Sequence, residues 1–182
     1  MIKENLAFID VETTGLEVGK HEVIEVGCVL VSQELGSKEP SFSVIDEFEL
    51  KIKPKRIEIA DPVALKVNKY DPANWVFAHE LSEAMKVFAS RTEGFVMVAH
   101  NVIFDHSFLE QAFKDTGLEN KMHFHRLDTL SMAFAKLARV EDVDHLSLGY
   151  LANYFNIENK NPHTALADAR TTFELYKKLM TL

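Results

Sequence analysis

The segment that decides the fold lies at residues 5–12, and its sequence is Asn-Leu-Ala-Phe-Ile-Asp-Val-Glu. Apolar side chains fall on both faces of this segment, which is typical of a strand buried in the middle of a sheet. Its two carboxylates, Asp10 and Glu12, point to the same face because side chains two residues apart on a strand share a face. Acidic groups in apolar surroundings are costly unless something neutralises them. The alternative at this point is that the strand end emerges into solvent.

The apolar periodicity around this segment predicts an α/β fold with a mixed sheet, because strand patterns dominate early and helical patterns alternate with strands later. Strands are predicted over residues 5–12, 22–32, 46–53, 95–99 and 123–127. Helices are predicted over residues 62–68, 80–90, 104–117, 128–139, 146–155 and 164–180. Residues 46–53 alternate apolar and charged side chains, so we expect a half-buried strand near an edge of the sheet. The chain length fits one domain over residues 1–182.

Composition places the chain among ordinary globular proteins, since 47% of its residues are apolar and 26% are charged. The single cysteine, Cys28, lies in an apolar run and is expected to be a buried thiol without a disulfide partner in the chain. Neither a signal peptide nor an apolar run of ~20 residues is evident. We therefore expect no membrane partner and a cytoplasmic location.

Two further segments place histidines and carboxylates beside predicted helix starts. They are His-Asn-Val-Ile-Phe-Asp at residues 100–105 and His-Thr-Ala-Leu-Ala-Asp-Ala at residues 163–169. Asp105 falls in the first turn of a predicted helix, and stabilisation by the helix N-terminus would by itself explain it. His163 and Asp168 are five residues apart, so on one helix their side chains would point about 140° apart. If both act at one centre, His163 must lie on the loop before the helix.

Together and in this order, the segments resemble the three motifs of the DEDD superfamily of 3′–5′ exonucleases, in its histidine-bearing DEDDh branch. Residues 8–15 (Phe-Ile-Asp-Val-Glu-Thr-Thr-Gly) are similar to the first motif, residues 100–105 to the second and residues 163–169 to the third. The resemblance covers nearly the whole chain and extends to the proofreading exonucleases of bacterial DNA polymerase III. It implies a ribonuclease-H-like fold, with a five-stranded mixed sheet flanked by helices.

The resemblance also implies a metal site and its catalytic residues. Two divalent cations, Mg²⁺ or Mn²⁺, would bind Asp10, Glu12, Asp105 and Asp168, with Asp10 bridging both ions. Oxygen ligands suit these metals. His163 would be the general base, a task for which the ordinary histidine pKa near ~6.5 is suited. The two cations would halve the net charge of −8. The remaining negative charge favours local binding of a strand end over tight binding along a duplex.

A pocket for the terminal nucleotide follows from the same resemblance. It would be formed by six residues: Thr13, Gly15, Leu16, His100, Asn101 and Phe104. An aromatic ring such as that of Phe104 can offer its face to any base, which gives sequence-tolerant binding. For Leu16 and Phe104 the alternative is plain packing in the core.

The predicted function is release of nucleoside 5′-monophosphates from the 3′ end of single-stranded or frayed DNA. The nearest alternative is the same reaction on RNA ends or short oligoribonucleotides, because the choice depends on whether a 2′-hydroxyl is read or excluded. A second alternative is a noncatalytic nucleic-acid-binding or polymerase-binding module, although all five predicted catalytic positions are intact. A polymerase partner and a homodimer are both open, and no interface for either is evident.

Overall fold

Residues 4–36 and 40–182 are described by a computed structural model. Its sheet contains β1 (Leu6–Thr13), β2 (Val23–Glu34), β3 (Ser41–Lys51), β4 (Val96–Ala99) and β5 (Arg126–Asp128). The spatial order is β3-β2-β1-β4-β5. The β1–β2 and β2–β3 pairs are antiparallel, whereas the β1–β4 and β4–β5 pairs are parallel. The predicted five-stranded mixed sheet is thus confirmed, with β1 at its centre.

The helices lie close to their predicted positions. They are α1 (Pro62–Val67), α2 (Leu81–Thr92), α3 (Val102–Thr116), α4 (Thr129–Leu137), α5 (Leu148–Tyr154) and α6 (Ala165–Thr181). Local capping explains several ends. Asp61 accepts a hydrogen bond from the Val63 amide at the start of α1, and Gly117, at φ 67°, ends α3 in the left-handed conformation that glycine adopts readily. Two single turns of 3₁₀ helix, Ile57–Ile59 and Pro72–Trp75, were not predicted.

Two strands begin three or more residues away from the prediction, whereas the other strand boundaries differ by at most two residues. β3 is an edge strand as expected, but it begins at Ser41 instead of residue 46 and pairs with β2 as far as Glu34. Of its first five residues only Phe42 is half-buried, and the others, including Val44 and Ile45, are exposed, so they carry no alternating burial pattern that a sequence could reveal. β5 begins at Arg126, because β4 has only four residues and offers pairing partners for three positions. Residues 123–125 therefore lie outside the strand.

Alternation along β1 sends its side chains into two different apolar layers. Ala7, Ile9 and Val11 pack in the layer that contains side chains of α2 and α3, whereas Leu6 and Phe8 pack in the layer that contains α6. Asp10 and Glu12 follow the second set by parity, so they lie on the α6 face of the sheet. The period of the strand thereby directs both carboxylates toward the helix that carries the third sequence motif.

The N-terminus of α6 lies directly against β2. A Cβ atom added at Gly27 would be 2.1 Å from the Ala165 carbonyl carbon, which is far inside van der Waals contact. Gly27 is also the pairing partner of Asp10 across the β1–β2 ladder. Only a glycine at this position lets the first turn of α6, and with it Asp168, approach the carboxylates of β1.

Two smaller expectations concern burial and hydropathy. Cys28 is buried, and burial raises the pKa of its thiol, as expected of an inert core cysteine. Within residues 4–36 and 40–182, no helix combines the length and the apolar character that a membrane crossing requires.

Candidate active site

The three motifs converge at one place, although Val11 of the first and Asp105 of the second are 94 residues apart in the chain. Asp10 and Glu12 lie on β1, and the Oδ1 atom of Asp105, from α3, accepts a hydrogen bond of 3.0 Å from the Val11 amide between them. Asp168 lies on α6 and accepts a hydrogen bond of 3.0 Å from the His163 amide. Four carboxylates and one histidine are therefore brought together from a strand, two helices and a loop.

A cleft of about 400 Å³ opens over this cluster. Asp10, His163 and Asp168 line one side of it, and the start of α5, at residues 147–149, lines the other. Ligand atoms of Glu12, His163 and Asp168 all lie within 4.8 Å of one another. These three side chains form an oxygen-rich donor set with one imidazole, and they fit a divalent cation by ligand type and by separation.

The carboxylates of the cluster repel one another and are poorly hydrated. Burial, together with the charges of Asp105, Asp168 and Glu12, holds the pKa of Asp10 well above its usual range. Burial and the neighbouring acids raise the pKa of Glu12 to about 8, and burial raises that of Asp105 to about 7. Without a cation, ionisation of all these carboxyl groups together is disfavoured, because their negative charges repel one another. A bound cation would reduce this repulsion.

We expect the metal-free protein to lose stability as pH rises. Glu12 and Asp105 have folded-state pKa values of about 8 and about 7, whereas such groups titrate near pH ~4 in an unfolded chain. Since the folded state binds these protons more tightly, the stability that they contribute is full below pH ~4 and is lost as pH rises through the folded-state values. In chelator, thermal unfolding should give a Tm lower at pH 8 than at pH 5 by about 5 °C or more.

Added Mg²⁺ or Mn²⁺ should raise that Tm more at pH 8 than at pH 5, because ionised carboxylates bind cations and protonated ones do not. The variant Asp10→Asn is the matched control, since it removes one charge of the cluster and should flatten the pH dependence in chelator. Equal Tm values for the metal-free wild type at both pH values would contradict the repulsion that we infer.

His163 lies on the loop before α6, as the spacing to Asp168 required. Its backbone has φ 65°, a left-handed conformation that is uncommon for residues with a Cβ atom. The residue is exposed, and its ring is nevertheless within ligand distance of Glu12 and Asp168. Backbone strain of this kind is found most often at functional sites.

Two residues that were not predicted support Asp168 and the first turn of its helix. The Asn159 amide nitrogen donates to Asp168 Oδ1 at 2.8 Å, while the His163 amide occupies Oδ2. Glu25, on β2, is 3% exposed, pairs with Glu12 across the ladder and accepts a hydrogen bond of 2.7 Å from the Ala165 amide. Burial and nearby Glu49 raise the pKa of Glu25 to about 7.

The signals for these two residues differ. Glu25 stands in the apolar run of residues 22–32, so the reasoning that selected Asp10 and Glu12 could have found it. Asn159 lies in a polar loop, where nothing distinguishes it from its neighbours by sequence.

The predicted pocket residues on β1 and its turn lie next to the cluster. Thr13 is buried, and its hydroxyl donates to the Gly15 carbonyl at 2.7 Å. Gly15 packs so closely on the His21 ring that a Cβ atom would be 2.6 Å from it. Leu16 is 74% exposed, so the core-packing alternative is wrong for this residue. For Phe104 the alternative holds in part, since its half-buried ring packs against Phe108 at 4.9 Å between centroids.

His100 lines the cleft, but both of its ring nitrogens already have partners. Nε2 lies 2.7 Å from the Leu146 carbonyl, to which it must donate, and Nδ1 lies 3.0 Å from the Thr129 hydroxyl. Burial lowers the pKa of His100, which favours the neutral ring. The residue thus fastens the segment before α5 to the sheet, a role that the sequence did not indicate.

Asn101 is exposed and begins α3 in a left-handed conformation, at φ 73°. Its amide donates to Asp128 Oδ1 at 2.9 Å, and the Val102 amide donates to the same atom at 3.2 Å. Burial opposes ionisation of Asp128, but hydrogen bonds from Ser131 and these amides lower its pKa overall. Asp128 therefore fixes the start of the helix that carries Asp105.

Known proteins resemble the chain over almost its whole length. Residues 7–176 match the model of the RNase_T family, described as exonuclease. A PolC-type DNA polymerase III from Caldanaerobacter subterraneus is 31% identical over 173 residues, which cover 94% of this chain and 11% of that protein. The 3′-5′ exonuclease DinG of Staphylococcus saprophyticus is 30% identical over 177 residues, which cover 96% of this chain and 18% of that protein. The chain thus spans about a tenth to a fifth of the length of these curated relatives.

Solved structures share the fold. E. coli Exonuclease I in complex with a dT13 oligonucleotide has a TM-score of 0.80 at 20% identity, covering 98% of this chain and 41% of that one. Exonuclease I from Methylocaldum szegediense has a TM-score of 0.79 at 18% identity, covering 97% of this chain and 40% of that one. The ribonuclease-H-like fold is confirmed by this likeness. Since the family model spans nearly all of it, the chain belongs to the RNase_T exonuclease family and, by its motifs, to the DEDDh-type 3′–5′ exonucleases.

Proposed function

We propose that residues 1–182 form a single exonuclease domain that removes nucleoside 5′-monophosphates from the 3′ end of single-stranded or frayed DNA with two divalent cations. The observation that carries the proposal is the convergence of four carboxylates and His163 beside one cleft, which is lined by Asp10, His163 and Asp168. Membership of the family implies dependence on divalent metal ions. We propose that Asp10, Glu12, Asp105 and Asp168 hold them, as Mg²⁺ or Mn²⁺.

The protein residues divide the work by position. Bound divalent cations supply charge neutralisation at a phosphodiester and activation of water. The His163 ring stands at the mouth of the cleft, where it can accept the proton that the attacking water loses, as a general base. Asp168 is oriented by Asn159 and by the backbone of His163, so the base and the carboxylate are fixed relative to each other.

The terminal nucleotide would lie against the end of β1 and the start of α3. Exposed Leu16 offers an apolar surface to a base, and the half-buried ring of Phe104 offers a face for stacking. Thr13, Gly15 and Asn101 contribute mainly backbone, whereas His100 shapes the wall through its bonds to Thr129 and Leu146.

DNA is the proposed substrate because of what is known of similar proteins. E. coli Exonuclease I has been solved with a dT13 oligonucleotide, and a PolC-type polymerase is named for DNA synthesis. The net charge of −8 argues against charge contacts along many phosphates of a duplex and is in keeping with binding of a strand end. A polymerase partner, a homodimer and the cytoplasmic location stay predictions.

The deciding experiment uses 5′-labelled single-stranded DNA and RNA of matched sequence, each with Mg²⁺, Mn²⁺ or chelator. We expect a ladder that shortens from the 3′ end of DNA, with mononucleotide products and no reaction in chelator. If RNA were shortened faster than DNA, the substrate would be RNA ends and not DNA ends. Binding of either strand without cleavage in both metals would leave only the noncatalytic module.

A further inference from the structure

Lys69 contacts a residue of the cleft wall, Pro162, that is 93 residues away in the chain. Its side-chain ammonium donates a hydrogen bond of 3.0 Å to the carbonyl of Pro162, the residue before His163. The Lys69 backbone has φ 55°, a left-handed conformation that a residue with a Cβ atom adopts at some cost. Backbone strain of this kind is common at functional sites, and the charge of Lys69 acts on Glu12 of the carboxylate cluster.

The backbone around Lys69 is fixed to the strand that carries the carboxylates. The Asn68 side chain donates to the Thr13 carbonyl at 2.9 Å, and the Asp61 amide donates to the Thr14 carbonyl at 2.8 Å. α1 is thereby fastened at both of its ends to the residues that follow Glu12. The Lys69 side chain extends from this firm base toward the loop before α6.

The Lys69 side chain reaches the loop that carries His163. His163 is exposed and in a left-handed conformation, and the Thr164 side chain bonds only locally, to the Asn161 carbonyl at 3.1 Å. In the peptide that joins Pro162 to His163, the amide of His163 donates to Asp168, so the carbonyl of Pro162 is the other group that can be held. The bond from Lys69 to Pro162 fixes that side, so the two bonds together define the plane of the peptide before the histidine.

We propose that Lys69 is a positioning residue for the exonuclease reaction, holding the His163 loop so that the imidazole stays beside Glu12 and Asp168. The inference rests on the proposed function of this site. The charge of Lys69 also lies close enough to Glu12 to oppose the rise in the pKa of that carboxyl, in keeping with its place at the rim of the cluster.

The first test compares turnover of Lys69→Met, Lys69→Arg and Lys69→Gly. Lys69→Met should lower kcat about fivefold to tenfold. This loss is at the low end of the energy of a hydrogen bond from a charged donor, because water can partly replace the ammonium. KM should change by less than about twofold, and Lys69→Arg should recover most of the loss because guanidinium can still donate to a carbonyl. Lys66→Met, at a lysine in the last turn of α1 that is likewise exposed, is the matched control and should keep wild-type turnover.

Lys69→Gly separates positioning from folding. Glycine adopts φ 55° without strain, so the Tm should not fall. If turnover nevertheless falls as in Lys69→Met, the loss belongs to the missing hydrogen bond and not to a damaged fold. Wild-type turnover in both Lys69→Gly and Lys69→Met would overturn the proposal.

A double-mutant cycle tests whether Lys69 acts through the histidine. In a His163→Asn background, Lys69→Met should cost less than about twofold, because the ring to be positioned is already gone. The same fivefold to tenfold loss in both backgrounds would overturn the positioning role and point to a direct contact of Lys69 with nucleic acid.

A measurement without metal or substrate keeps this proposal apart from the proposed function. Amide hydrogen exchange across residues 160–164 should be several-fold faster in Lys69→Met than in wild type, and unchanged in Lys66→Met. Unchanged exchange in Lys69→Met would show that the bond to Pro162 does not order the loop and would overturn the proposal. Absence of nuclease activity in wild type would overturn the proposed function, whatever the exchange result.

Discussion

Asp10→Asn is expected to lower turnover by about 1,000-fold or more while the fold survives. Asp10 lies at the centre of the cluster, and its charge interacts with those of Asp105, Asp168 and Glu12. The substitution keeps the size of the side chain and removes the charge that would hold divalent cations, whose contribution to phosphodiester hydrolysis is several kcal/mol. The measurement is the initial rate of shortening of a 5′-labelled strand at saturating metal. Asp105→Ala and Asp168→Ala should show comparable losses.

The same variant should be more stable than wild type in chelator at pH 8. Removing one of the mutually repelling charges lowers an unfavourable electrostatic energy that the folded state carries. Asp115→Asn, which changes an exposed carboxylate near the end of α3, is the matched control and should alter neither rate nor Tm appreciably. Normal turnover in Asp10→Asn would exclude the proposed metal site. A lower Tm at pH 8 would instead contradict the repulsion among the carboxylates.

His163→Asn is expected to lower kcat by about 100-fold or more, the usual effect of removing a general base. Asparagine is chosen because it tolerates the left-handed backbone at φ 65°, whereas alanine there would add strain to the chemical change. KM should change little, since the residue acts on the attacking water. His79→Ala, at another exposed histidine, serves as the control and should leave kcat unchanged.

Metal titration of His163→Asn distinguishes a base from a ligand. The ring lies within ligand distance of Glu12 and Asp168, so the imidazole could itself bind a cation. If it is the base, the concentration of Mn²⁺ at half-maximal rate stays near the wild-type value, and added metal does not restore kcat. A large rise in that concentration, with recovery of kcat at high Mn²⁺, would assign His163 to the metal site instead.

Most of the fold could be predicted because local patterns and global structure agree. The two-sided apolar character of β1 indicated a central strand, and the alternation in β3 indicated an edge. The strand starts that were predicted wrongly lie where the sequence carries no alternation of buried and exposed residues. The start of β3 is exposed on the edge, and β5 is shortened by its short neighbour β4.

The cluster itself was predicted from motifs, and its supports were not. Asp128, Asn159 and Lys69 act through hydrogen bonds to residues that are 26, 9 and 93 positions away. Nothing in a linear pattern distinguishes a polar loop residue that meets such a partner from one that meets water. His100 shows the same limit, since it was predicted to line a pocket and also fastens the segment before α5 through both ring nitrogens.

The sequence by itself determined the chemistry. It indicated which carboxylates and which histidine could form a metal-dependent centre, and that Asp10 and Glu12 share one face of β1. Strand periodicity is a local property, so it is readable residue by residue. Tertiary structure alone decided how closely the parts meet. The absence of a side chain at Gly27 lets α6 reach β2, and Glu25 and Lys69 fix the first turn of that helix and the loop before it. Those contacts join distant segments, and their energies depend on burial and geometry that exist only in the folded chain.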